Sequence, residues 1–220
     1  MIRKIFGIVL ATMFVCVPIK AQSENGRDYV DLGLKVKWAT CNIGATKPEE
    51  YGDYIAWGEI EPKGEYTLFS YFDTADLGET YRYYHFEVGG HQILESGEDA
   101  AHERWGKNWR LPSNKEQDEL REKCTWKWTQ LNGVNGYEVT GPNGNSIFLP
   151  AAGYRYDYQY NLEVGNVGVY WSRSLAYINH GKAMVLNFNP KGVAWEDRGR
   201  YFGCSIRPVY VGKEPKKKKH

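Results

Sequence analysis

Of the chain's four cysteines and five histidines, Cys41, Cys124 and Cys204 and His85, His91, His102 and His180 lie in its body, and with a few close carboxylate pairs these are the residues whose types could do chemistry. Cys41, Cys124 and Cys204 stand far apart, so none of them forms the short-spaced pair of a zinc site. An odd count leaves one thiol over, or pairs it between chains. Cys41 with Cys124 is the pairing expected if a disulfide forms. His85 and His91 are neither an i, i+4 pair nor a facial-triad spacing, and His102 and His180 lie far from them. His102 reads as a helix residue near the core. Glu59 with Glu61, Glu98 with Asp99, and Glu196 with Asp197 are adjacent acids of the kind that loops leave solvated. Glycoside hydrolysis needs two carboxyls converging across a cleft, which spacing along the chain does not express. No nucleophile elbow and no phosphate-binding loop occurs. "GPNGNS" has the glycines but reads as a hairpin turn.

The aromatic residues carry more information. The chain has 17 Tyr and 8 Trp. "YRYDYQYN" places Tyr154, Tyr156, Tyr158 and Tyr160 at period two, with Arg155, Asp157, Gln159 and Asn161 between them. Extended, it has an aromatic face and a polar face. Rigid rings with hydrogen-bonding tips suit recognition surfaces; the same face could equally pack inward. "YRYYHFE" (Tyr81 to Glu87) has the same two readings.

The elements that must position these residues follow from patterning. "DYVDLGLKVKWATCNIG" reads as a strand, a turn at Gly33 and a second strand, with Val36, Trp38 and Thr40 on one face. From Ile60 to Gly97 no period is clean, and a long irregular excursion is expected. "SGEDAAHERWG" predicts a helix capped by Ser96 and ended by Gly106. In "WRLPSNKEQDEL", Ser113 and Glu116 have the spacing of a capping box, and Gln117, Leu120 and Cys124 fall on one helical face. Beyond Cys124 the chain alternates as strands: Trp126 and Trp128, Tyr137 and Val139, Ile147 and Leu149. "NGVNG", "GPNGN" and "NPKG" are turn chemistry. Two short helices followed by a strand-rich half is an α+β order.

Arg3 and Lys4, an apolar stretch from Ile5 to Ile19, and the exit at Lys20 and Ala21 have the pattern of a secretory signal peptide. Residues 1–21 are read as that signal, 22–212 as one domain and 213–220 as a disordered basic tail. An exported chain is expected in the periplasm, on the outer surface or secreted, and not as an integral membrane protein. The whole chain is +1. Without the signal and the Lys-rich tail the body is near −6, which argues against a nucleic-acid partner.

"YVDLGLKVKWATCNIGATKPEEYGDYIAWGE", "EDAAHERWGKNWRLPSNKEQDEL", "CTWKWTQLNGVNGYEVTGPNGNSIFLPAAGYR", "YWSRSL" and "SIRPV" occur in this order. Together they resemble the Fibrobacter succinogenes major paralogous domain, found in exported proteins of gut-type Bacteroidota. The resemblance covers about Asp28 to Val211. That family is similar to the formylglycine-generating, sulfatase-modifying group. The resemblance therefore implies a C-type-lectin-like fold: two helices flanking a small twisted antiparallel sheet, with long irregular loops. "WRLPSNKE" would start the second helix and "SIRPV" would form the closing strand.

The same resemblance allows enzyme readings to be weighed. The formylglycine-generating oxidases hold copper on two cysteines in the C-terminal region, where soft thiolates suit Cu(I). Here that region has Cys204 alone, so catalysis is not expected. Relatives that use His and Tyr for iron-dependent sulfoxide chemistry find no matching His spacing. C-type lectins hold Ca²⁺ through hard oxygens; Trp195, Glu196 and Asp197 stand in a roughly similar place, which makes Glu196 and Asp197 weak metal candidates. In lectin-like relatives diversified by retroelements the ligand sits on the last strands and loops. That implicates Tyr170, Trp171, Arg173, Asn187, Asn189, Trp195, Asp197, Arg198, Arg200 and Tyr201, beside Tyr154, Tyr156 and Tyr158. The expectation is a non-catalytic module binding a glycan or a protein at a cell surface, with no required cofactor. The alternatives are a structural or adhesin assembly subunit and a divergent oxidase.

Overall fold

The computed structural model describes residues 21–71, 93–158, 161–179 and 181–212. The predicted signal segment up to residue 20, the tail, the stretch from Tyr81 to Glu87, and Gln159, Tyr160, His91 and His180 lie outside these.

The architecture is mostly β with short helices, and its sheets are antiparallel. Strands β1 (Gln22–Glu24), β2 (Arg27–Val30), β3 (Lys37–Ala39), β4 (Trp109–Arg110) and β11 (Val209–Tyr210) form one sheet, in the order β1-β2-β3-β11-β4. The closing strand thus inserts between the first strands and the "WR" pair; of "SIRPV", expected to form it, only Val209 lies in the strand. β5 (Thr125–Leu131), β6 (Val134–Thr140) and β7 (Ser146–Pro150) form a second sheet, and β8 (Gly168–Leu175), β9 (Lys182–Asn189) and β10 (Gly192–Gly199) a third. Asn132 and Gly133 both have positive φ, 50° and 83°, in the β5–β6 turn, the backbone that an Asn-Gly hairpin turn demands.

Period-two alternation builds two cores. Tyr29, Ala39, Trp171, Val185 and Tyr210 point into one, which the Ala100–Trp105 helix (α1) covers with Ala100, Ala101 and Trp105. Their strand neighbours Val30, Trp38, Tyr170, Leu186 and Val209 point into the other, covered by Leu120 of the Asn114–Lys123 helix (α2) and by the inner face of β5–β7. The central strands are therefore buried on both faces, and the helices lie on opposite sides.

The capping box is present: Ser113 Oγ accepts from the Glu116 amide at 3.3 Å and Glu116 Oε2 accepts from the Ser113 amide at 2.8 Å. Arg110 grips the same carboxylate through two nitrogens at 2.6 and 2.7 Å. The cap of α1 differs from expectation. Ser96 opens a single 3₁₀ turn (Ser96–Glu98), and Asp99 caps the helix, accepting from the amides of Ala101 and His102. Asp99 also accepts from the Leu111 amide at 2.9 Å. One buried carboxylate therefore holds the helix start and the "WRLP" segment together, a job that a hydroxyl with fewer lone pairs cannot do.

The expected Cys41–Cys124 disulfide is not formed; both thiols and Cys204 are free. Cys41 lines a small surface cleft with Arg27, Thr46 and Trp105, whereas Cys124 packs against the core under α2. The two side chains therefore stand in different surroundings, one at the surface and one against a core. Burial pushes the Cys124 thiol up to about 11 and that of Cys204 up to about 12. Among the described residues no helix is long and apolar enough to cross a membrane.

Candidate functional site

Two chain segments meet to form an aromatic shelf. Arg155 and Gly203 exchange both backbone hydrogen bonds, at 2.7 and 3.0 Å, which lays residues 154–156 beside 201–203. A Cβ on Gly203 would stand 2.6 Å from the Tyr66 ring, so only glycine allows this approach. Leu162 pairs back onto Tyr154, and Gly153, at φ 67°, lets the chain turn under the Leu162 carbonyl.

On this frame Tyr156 stacks on Phe202, with ring centroids 4.7 Å apart and planes 22° apart. Tyr201 lies 4.9 Å from Phe202 and 6.1 Å from Tyr156. Tyr154 adds a fourth ring 6.0 Å from Phe202. The Arg198 guanidinium sits 4.3 Å from the Tyr154 centroid and 5.7 Å from that of Phe202. A delocalised cation against ring faces is held by their quadrupoles. Tyr156 keeps 40% of its surface in solvent, so the shelf is anchored at one end and open at the other.

Beside the shelf is an open cavity of about 390 Å³, lined by Asn179, Lys182, Glu196, Asp197, Arg198, Gly199, Tyr201 and Phe202. The register of β9 with β10 sets Asp197 against Met184 and Arg198 against Ala183. Lys182 Nζ lies 2.7 Å from Asp197 Oδ1, and Arg198 Nη2 lies 3.4 Å from Glu196 Oε2. The wall therefore offers both donors and acceptors near overall neutrality. Such a mixture of planar polar groups beside rings orients a polar ligand rather than polarising one.

Asp197, Arg198, Tyr201, Tyr154 and Tyr156 come together around the shelf and cavity. Other predicted site residues do not. Tyr170 and Trp171 are 2% and 0% exposed; the Tyr170 hydroxyl donates to the Pro150 carbonyl at 2.7 Å, and burial pushes its phenol up to about 12. Arg200 is fully buried, with its guanidinium 5.5 Å from the Trp57 ring and 5.4 Å from that of Tyr71. These three are interior because β8 and the turn after β10 are covered on both sides. Arg173 donates to the Leu94 carbonyl and its amide to Pro112, next to α2. Trp195 faces the other way, its indole donating to Asp118 of α2 at 3.1 Å. Asn189 closes the β9–β10 turn by accepting from the Lys191 amide. Asn187 is half-buried within β9. Tyr158 is 73% exposed, and its hydrogen bond to Glu65, with that carboxylate's charge, raises its phenol above 10. Asp157 has φ 62°, which interrupts the expected alternation, so Tyr158 leaves the shelf.

Glu196 and Asp197 are successive residues of one strand, each beside its own cation, Arg198 and Lys182. Calcium takes six to eight converging oxygens, and this pair does not supply such a set. Among the described residues no three His, Cys, Asp or Glu side chains group as a metal site.

Phe202, Asn179 and Lys182 complete the site and were not anticipated. Phe202 adjoins Tyr201 in "RYFG", and Lys182 is the register partner of Gly199 across the "NPKG" hairpin, from where its long side chain reaches Asp197 diagonally. Asn179 carries no signal in sequence, because a turn places it. Compared with protein-family models, with curated proteins and with solved structures, the chain matches none.

Proposed function

We infer that the protein is an exported, non-catalytic recognition module with a C-type-lectin-like fold, related to the Fibrobacter succinogenes major paralogous domain, and that its ligand is a glycan at a cell surface. The carrying observation is the half-exposed Tyr156–Phe202 stack at the lip of a cavity walled by Asn179, Asp197 and Arg198. A sugar ring has an apolar C–H face and a rim of hydroxyls. The shelf suits the face, and amide, carboxylate and guanidinium groups suit vicinal hydroxyls.

The family reading is supported by where its phrases fall. Arg207 of "SIRPV" donates to Asn42 Oδ1 of "CNIG" at 2.8 Å, and to the carbonyls of Ala39 and Thr40 at 3.1 and 2.8 Å. Trp57 of "IAWGE" and Trp171 of "YWSRSL" join their segments by hydrogen bonds. Phrases that lock a core together are phrases a fold must keep. The non-catalytic reading is supported by the chemistry of the site: its charged groups neutralise one another, and the nearest thiol in sequence, Cys204, is buried and held protonated.

The test is a glycan array probed with the purified protein, with calcium and then with chelator, repeated with Tyr156→Ala. Binding that survives chelator and is lost in the variant is the expected result. Binding abolished by chelator would move the site to a metal, and no glycan binding would turn the reading to a protein ligand.

A further inference from the structure

The β5–β6–β7 sheet ends on a strand that is open along its outer side. β5 pairs with β6 through seven consecutive register pairs without a bulge. Among the described residues no other backbone hydrogen bond or isolated bridge reaches Thr125–Leu131. Alternate amides and carbonyls of an edge strand face away from its neighbour, so this side is a template for another strand. The other long edge, β10, carries Glu196, Asp197 and Arg198 in succession, and charge of that density blunts an edge. β5 carries one charge, Lys127.

That lysine is the centre of Thr125-Trp126-Lys127-Trp128-Thr129, which reads the same in both directions. A two-fold contact is isologous: residue i meets j and j meets i. An antiparallel pairing of two β5 strands about Lys127 sets Thr125 against Thr129 of the second copy and Trp126 against its Trp128. Threonine pairs and aromatic pairs are favourable across strands. Trp126 and Trp128 already stand edge-on to Tyr137, with centroids 5.4 and 5.1 Å away, so little side-chain freedom remains to be lost on pairing. The facing lysines oppose the contact, yet each has Glu138 as its register partner on β6. Across four strands the charges then run acid, base, base, acid.

We propose that β5 is a homotypic docking edge, and that two copies of this chain join through it into one continuous six-stranded sheet. The self-matching pattern selects a second copy as the occupant, and the facing lysines keep the contact weak and reversible. The edge shares no residue with the aromatic shelf, so the pair presents two shelves at once, and two linked sites raise avidity without any new ligand contact.

Sedimentation velocity on the purified full chain, from micromolar to near-millimolar concentration, tests this. Wild type is expected to show a reversible monomer–dimer equilibrium. Lys127→Thr removes the facing charges and tightens the dimer by about two- to fivefold. An equimolar mixture of wild type with Lys127→Glu forms a heterodimer tighter than either homodimer. Circular dichroism establishes that each variant is folded, and Lys127→Thr keeps the test alive if a glutamate beside Glu138 does not fold. Monomers throughout would overturn the proposal. So would a dimer whose affinity is indifferent to residue 127, since its contact would then lie elsewhere.

Discussion

Trp57 and Trp171 are joined reciprocally: the Trp57 indole donates to the Ser172 carbonyl at 2.8 Å, and the Trp171 indole donates to the Ile55 carbonyl at 2.9 Å. Both rings are buried, and both bonds bind residues 55–57, which have little regular structure, to the middle of β8. Trp171→Phe removes one of the two donors to the Ile55 carbonyl, which keeps the Cys204 amide at 3.2 Å, and opens a void in the core. A loss of about 2–4 kcal/mol is expected, read as a lower urea midpoint with unchanged slope.

The shelf behaves oppositely. Tyr156→Ala and Phe202→Ala cut an exposed stack rather than a core, so Tyr156→Ala costs less than about 1 kcal/mol of stability. Each is expected to weaken ligand binding by about tenfold or more, as central aromatic anchors do. Titration calorimetry with a glycan retained on the array checks this; equal losses of binding and stability would assign the rings to packing alone.

Arg207 is 1% exposed, and its three hydrogen bonds all go to neutral acceptors. Arg207→Met strands the Asn42 amide oxygen and two carbonyls, at a cost of about 3 kcal/mol or more. Arg207→Lys recovers little, because a point charge cannot replace a planar fork that spans three acceptors. Thermal unfolding of both variants decides it.

Glu116 provides a pH signature. Burial pushes its carboxyl up, but the Arg110 fork and the Ser113 amide outweigh that and hold it below the ordinary 4.5. The unfolded chain therefore binds the proton more readily. The stabilisation is complete above about 4.5 and is lost as pH falls through the lower folded value. Urea midpoints of wild type should drop more steeply below that pH than those of Glu116→Gln, which at neutral pH is less stable by about 1–2 kcal/mol.

Much of the local structure was legible from chemistry that acts within a few residues. The Ser113–Glu116 box, the alternation of Trp126 and Trp128 or Ile147 and Leu149, and the Asn132-Gly133 and "NPKG" turns needed no knowledge of the rest of the chain. The α1 cap was misread because Ser96 and Asp99 are equally good caps in isolation. Asp99 prevails through the distant Leu111 amide. The surface that carries the aromatic shelf was half legible. Tyr154, Tyr156, Asp197, Arg198 and Tyr201 lie along one surface, whereas Tyr170, Trp171 and Arg200 carry the same residue types and are interior.

The sequence by itself determined the alternating strands, the turns, the second helix start and the aromatic wealth, since each depends on backbone preference or side-chain period. Only the tertiary structure decided which aromatics face water, that Cys41 and Cys124 stay apart, and that Phe202 and Lys182 join the site. The reason is burial on both faces of β8 and β9. Where a strand is covered on one side, alternation separates inside from outside. Where it is covered on both, Tyr170 and Trp171 point in opposite directions and neither reaches solvent.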